Sequence, residues 1–270
     1  MRDQNNYRAA ELEPFFTVPK SRFKTSDGDI DLPICYYDNS AFIALFTANM
    51  EEVEQQLEGT GLKPSLTILG KPVIALICYE YRSTAIGSYN EVGVTILTCP
   101  KSEKTGLNRW VDLLRSAEEK HSGAYVINLP VTTEAACTAG IEVWGYPKFV
   151  TPISFKMDAK SFKCNVNDVN GKDNIMTLSG KSYPYLPSPS MDIMSYSFKD
   201  DNAFRAHVNV RGKHWVRTSS FLKLTVGASN HLMAKNLRNL GLDGAKPFAA
   251  VSTNNFQSRL NEGAEISLPK

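Results

Sequence analysis

Three apolar runs, "PSLTIL", "PVIALICYEY" and "EVGVTILTC", constrain the fold of this chain more than any other feature. Crossing a bilayer as a helix takes about 20 consecutive apolar residues, and stretches such as Pro72 to Cys78 are far shorter. They also hold too few polar residues to leave one face in water. Short runs of this kind, rich in β-branched and aliphatic side chains, predict buried strands. A chain with several of them folds around a sheet rather than as a helical bundle.

Strand signals continue on both sides. "DLPICYY" and "AFIALFT" read as two short strands forming a hairpin, with Asp38-Asn39-Ser40 supplying turn chemistry between them. Residues 152–182 alternate apolar and polar side chains about Asn170-Gly171, a strong short hairpin signal. The proline-rich "SYPYLPSPSMD" marks a long connection, after which "SYSFKD", "FRAHVNVRGKHWVR" and "SSFLKLTVG" resume the strand pattern. Three segments have helical spacing: Met50 to Leu57 with Asn49 as its cap, Asn108 to His121 with Trp110, Val111, Leu113 and Leu114 on its apolar side, and His231 to Leu240. Residues 1–25 are polar and punctuated by Pro14 and Pro19, which predicts an irregular N-terminal arm. No repeat or compositional break divides the 270 residues. They read as a single β-rich α+β domain in which antiparallel strands curl around a core.

Several function classes fall away. A net charge of +2 gives no case for nucleic acid or an anionic membrane, and the basic "RGKHWVR" alternates like a strand with one wet face. His121, His207, His214 and His231 lie far apart with no HExxH pair, so no metal site is expected. Neither a glycine-rich phosphate loop nor a GxSxG elbow occurs, which favours chemistry without a cofactor. The five cysteines share no CxxC spacing and read as reduced structural thiols. With no signal-peptide pattern at the N-terminus, a cytoplasmic location is expected.

The segment "EVWGYPKFV" concentrates the chemistry. It places Lys148 directly after a Gly-Tyr-Pro turn among aromatic and apolar neighbours. Burial disfavours the ammonium form of a lysine and raises the fraction of free amine able to attack a carbonyl, giving a Schiff base. The alternative is a turn lysine with its stem on Trp144 or Phe149 and its head in water.

The run "EAACTAGIEVWGYPKFV" resembles the region around the Schiff-base lysine of acetoacetate decarboxylases, and "GSYNEVGVTI" resembles that family's segment carrying an active-site glutamate, here Glu91. The closing "NHLMAKNLRNLGLDGAKPFAAVSTNNFQSRL" is similar to the family's helix, strand and polar tail, so the likeness spans about Leu32 to Leu260. The resemblance implies a cone-like or barrel-like sheet with the lysine inside it. It also implies a homo-oligomer acting on a small keto acid or ketone, with no cofactor beyond the covalent adduct. In that reading Lys148 is the nucleophile and Glu91 shuttles a proton or orients substrate and water. Loss of carbon dioxide or of a proton from the iminium ion leaves an enamine, which is then protonated or attacks an aldehyde.

The sequence departs from the family pattern at three places. The family's second lysine, directly after the nucleophile, is Phe149; an early-strand arginine is missing from "YYDNSAFIA"; and a further carboxylate upstream of Glu91 falls at Leu76 or Ile77. Arg82 is the nearest candidate for an anion contact, and Tyr89, Trp144 and Phe149 are the other expected substrate contacts. If Phe149 faces the pocket it supplies only apolar contact and desolvation, which favours a bulkier or less charged ketone than acetoacetate. A decarboxylase-like lyase, an aldolase-dehydratase and a non-covalent ligand-binding protein all remain open.

Overall fold

Two of the three apolar runs, "PVIALICYEY" and "EVGVTILTC", enter a barrel, whereas "PSLTIL" is not a buried strand: it breaks into two short pieces beside the barrel, ending Leu62–Pro64 and forming Thr67–Ile68, and leaves Leu69 exposed. In the computed structural model, which describes residues 12–104 and 108–268, the barrel strands are β1 (Ile34–Thr47), β2 (Lys71–Thr84), β3 (Tyr89–Pro100), β4 (Gly123–Val131), β5 (Ile193–Lys199), β6 (Asn202–Arg211) and β7 (Ala249–Leu260). They neighbour one another in the order β7-β1-β2-β3-β4-β5-β6, and pairing of β6 with β7 completes the ring. Strands that alternate up and down cannot close an odd-numbered ring, so one neighbouring pair must run parallel. That pair is β4 and β5, whereas the other six are antiparallel. The expected curved, closing sheet is therefore present as a mixed barrel.

A parallel pair needs a long crossover connection, and here the crossover carries the chemistry. It contains a helix, the short strand Lys148–Val150 that runs parallel to β4, and three strands of an outer sheet. That sheet joins Ile153–Met157, Ser161–Asn167, Asn174–Lys181 and Leu222–Val226, all antiparallel. Four helices are present among the described residues: α1 (Met50–Gln56), α2 (Asn108–Asp112), α3 (Glu134–Trp144) and α4 (Leu232–Asn239).

Strand alternation gives the barrel wall two buried faces. Ile74, Leu76 and Cys78 on β2 and Val92, Val94 and Ile96 on β3 point outward into the main core, where they meet Phe162, Met176, Leu178 and Leu224 of the outer sheet and Met233 and Leu237 of α4. Phe42 stacks on Phe162 with ring centroids 3.9 Å apart. Burying each side chain of this size contributes about 1.5–3 kcal/mol. The intervening residues, Ala75, Ile77, Tyr79 and Tyr81 on β2 and Glu91, Gly93 and Thr95 on β3, turn into the barrel. Two buried faces explain why these runs have so few polar residues.

Four further expectations are corrected. "DLPICYY" and "AFIALFT" are one continuous strand, β1, because Asp38 and Asn39 make bulges rather than a turn: Asp38 is held by Arg82, and Asn39 Nδ2 donates to the Phe256 carbonyl at 3.1 Å. The helix expected over Asn108 to His121 stops at Asp112. The Lys120 ammonium donates to the Asp112 and Leu113 carbonyls, and the Asp112 carboxylate accepts from the backbone N–H groups of His121 and Ser122, so the chain folds back and leaves Trp110, Val111 and Leu114 exposed. Part of the proline-rich connection, Tyr185–Ser188, pairs as a strand with His214–Arg217. Of the N-terminal arm, residues 1–11 lie outside the described residues, and its last five, Ser21–Thr25, form a hairpin with Gly28–Leu32. The Asn170-Gly171 turn and the cap at Asn49 are found as expected, and the helix expected over His231 to Leu240 spans Leu232–Asn239 with His231 as its cap. All five cysteines are buried and none forms a disulfide.

Candidate active site

Helix α3 and the turn after it place the lysine. Thr133 caps the helix start by accepting from the Ala136 N–H, and Gly145 ends it in a left-handed conformation, φ 67°, that favours glycine. A Cβ at Gly145 would also strike the Phe198 carbonyl. Nearby, Ser197 Oγ donates to the Trp144 carbonyl at 2.5 Å and Lys199 Nζ to the Glu142 carbonyl at 2.6 Å, which ties the helix end to β5. The chain then turns through Tyr146 and Pro147 and sets Lys148 opposite Leu129 of β4.

From there the lysine reaches into the barrel. Its Nζ donates to Glu91 Oε2 at 2.6 Å, and the side chains are only 6% and 9% exposed respectively. An ion pair this far from water is screened little by solvent. Helix α3 flanks the stem at Gly140, where a Cβ would stand 3.1 Å from Nζ and collide with the methylenes behind it.

Five tyrosines surround the pair. Tyr36 and Tyr89 share a 3.1 Å hydroxyl hydrogen bond, Tyr146 and Ser195 share one of 2.6 Å, and Tyr81 donates a longer one, 3.4 Å, to Glu91 Oε1. The Tyr89 ring lies 5.8 Å from Lys148 Nζ, and Tyr79 stacks on Tyr81. Burial first, and then in most cases the nearby Glu91 charge, push the Tyr36, Tyr79, Tyr81, Tyr89 and Tyr146 hydroxyls above the ordinary phenol range. They stay neutral donors at any working pH. A cavity opens in front of them, and among the described residues Glu91 and Lys148 are the only charged ones lining it.

The sequence candidates divide by strand parity. Lys148, Glu91 and Tyr89 come together. Arg82 does not: it lies on the face of β2 opposite Tyr79 and Tyr81, and its guanidinium is committed to Asp38 at 2.7 Å, Glu80 at 2.6 Å and Ser40 at 2.5 Å. Phe149 follows Lys148 in the strand and so points the other way, onto the His231 ring with centroids 4.3 Å apart and into the main core. Trp144 is buried behind the site, where it stacks on Tyr146 and donates Nε1–H to the Asn261 carbonyl at 3.1 Å. Of the two positions matched to the family's upstream carboxylate, Ile77 lines the cavity and Leu76 faces the outer core. Tyr36, Tyr79, Tyr81, Tyr146 and Ser195 were missed, although the period-2 spacing of Tyr79 and Tyr81 already put them on one face.

The closed barrel thus holds a buried lysine-carboxylate pair, and comparison with known proteins gives the family of the chain. Residues 17–206 match the family model of acetoacetate decarboxylase, and the chain belongs to that family. Among curated proteins, none is matched by this chain. Among solved structures it is similar to an acetoacetate decarboxylase at 14% identity, covering 98% of this chain and 99% of that one with a TM-score of 0.66. The acetoacetate decarboxylase of Legionella pneumophila is similar at 13% identity, with 96% of each chain covered and a TM-score of 0.63. So is the enduracididine biosynthesis enzyme MppR, solved with the condensation product of pyruvate and imidazole 4-carboxaldehyde, at 12% identity, 87% and 90% coverage and a TM-score of 0.60. At these identities the solved structures bear on the fold.

Proposed function

We propose that this protein is a Schiff-base lyase that acts on a ketone or oxo acid through an enamine on Lys148. The observation that carries the reading is the 2.6 Å Lys148–Glu91 contact inside a cavity walled by tyrosines. Attack requires a neutral amine, and Glu91 Oε2 is placed to take the proton. Lys148 Nζ then adds to the carbonyl carbon, the carbinolamine loses water, and the resulting iminium ion draws electrons from the neighbouring carbon. Departure of carbon dioxide or of a proton leaves the enamine. Protonation at carbon by Glu91, followed by hydrolysis, returns product and free lysine. The tyrosine hydroxyls hold the carbonyl and carbinolamine oxygens, and the chemistry calls for no cofactor.

A second reading, aldol addition of the enamine to an aldehyde followed by dehydration, is favoured by the lining. Apart from Lys148, the cavity holds no cation to receive the carboxylate of acetoacetate. Turnover of a panel of oxo acids, with and without aldehydes, separates the outcomes: carbon dioxide release marks one, and an unsaturated condensation product marks the other. Lack of either, together with no borohydride adduct, would leave a non-covalent binder.

A further inference from the structure

The site does not end at the tyrosines. A second cavity continues along the barrel interior and shares Ile77, Tyr79, Ala124, Ile193, Val210 and Phe256 with the first. Beyond the shared stretch its wall is mainly aliphatic, with Ala41, Ile43, Leu45 and Val251 facing inward. Two contiguous cavities, the second walled mainly by aliphatic side chains, suit a longer and more apolar ligand than a four-carbon acid.

Two polar groups interrupt the apolar lining. Thr253 is 2% exposed and its hydroxyl has no hydrogen-bond partner. A buried hydroxyl in that condition is unfavourable, and a ligand group that bonded it would recover the loss. His214 is also buried and lines the same cavity. Its Nδ1 lies 3.2 Å from the Gly212 carbonyl, which can only accept, so Nδ1 carries the proton and Nε2 is left as an acceptor. Pairing of Trp215 with Ser252 brings His214 opposite Thr253 one step further along the same two strands. Burial also holds the His214 imidazole below its ordinary range, which keeps it neutral. Other polar groups in this cavity are engaged elsewhere: Asp192 accepts from the Ala117 and Val210 N–H groups, Lys120 donates to the Asp112 and Leu113 carbonyls, and Thr95 Oγ1 donates to the Ala75 carbonyl. Ser122 Oγ, by contrast, also lines the cavity side of the wall without a hydrogen-bond partner.

We infer that the substrate is a ketone with an elongated apolar body, ending in a neutral hydrogen-bond donor such as a hydroxyl or amide that Thr253 and His214 receive. This rests on the Schiff-base reading for the reacting end only. The test is calorimetry on Lys148→Gln, which cannot form an imine, with 2-alkanones and ω-hydroxy-2-alkanones of increasing length, beside borohydride trapping of the same ketones on the wild type. Affinity rises roughly two- to fourfold per added methylene. At the fitting length the terminal hydroxyl adds roughly tenfold over the methyl-ended ketone, the scale of one good hydrogen bond, and Thr253→Val removes that gain while its melting temperature holds or rises. Affinity independent of length, or a hydroxyl gain that survives Thr253→Val, overturns the inference. Length-dependent binding without any adduct would instead overturn the Schiff-base reading and leave this one standing.

Discussion

Gly140 of α3 and Lys148 lie in such close contact that a single methyl group on the glycine would occupy the space of the lysine's outer methylenes and stand 3.1 Å from its Nζ. The helix therefore acts as a wall that keeps the lysine stem aimed at Glu91. Any side chain at position 140 must push the lysine off that line.

Gly140→Ala separates stability from function. Inside a helix, alanine is favoured over glycine by about 1 kcal/mol, so the melting temperature should change little, while the rate of borohydride trapping falls at least tenfold. A variant that traps at the wild-type rate would show that the stem has room to move.

Glu91→Gln should keep much of the borohydride adduct and slow turnover by roughly 100-fold, the scale of a positioned acid or base. Single-turnover trapping and steady-state assays on one preparation check this. If the adduct vanishes as well, Glu91 acts before imine formation.

Phe149→Lys should leave substrate preference unaltered. Were Phe149 in the pocket, a lysine there would draw smaller anions, but the ring points to His231 and the main core. The expected result is a loss of stability on the order of 2 kcal/mol, read by denaturant melts, with the ratio of rates on small and large oxo acids unchanged. A shift in that ratio would place the side chain in the cavity.

The Asp112 carboxyl anchors the turn below β4. Burial pushes its pKa up, but N–H donation from Ser122, at 2.6 Å, and from His121 outweighs burial and holds it below the ordinary range. With the folded value below the unfolded one, its stabilising contribution is present in full above the unfolded value of about 4 and is lost as pH falls through the folded value. Asp112→Asn should therefore melt several degrees lower at pH 7, with the gap to wild type closing below about pH 4. A gap that is constant with pH would mean that the charge is not what matters.

The strands of the barrel wall were legible because both their faces are buried, α1 because its cap sits at Asn49 as expected, and α4 because of its helical spacing. Lys148 and Glu91 were found through family likeness, and strand parity explains what went astray around them. Arg82 and Phe149 are each one residue away from inward-facing neighbours, Tyr81 and Lys148, and one step along a strand reverses the side chain. The β1 bulges and the early end of α2 depend on partners distant in sequence or on a fold-back of the chain, which local patterns do not encode. Ring closure between β6 and β7 is likewise a long-range pairing.

Intact mass after sodium borohydride treatment with a small oxo acid or ketone tests the lysine chemistry most directly. The wild type should gain one reduced substrate adduct, mapped by peptide digestion to Lys148, and neither Lys148→Ala nor Lys148→Arg should gain any, since a guanidinium offers no amine of accessible pKa. An adduct on another lysine, or one undiminished in Lys148→Ala, would contradict the assignment.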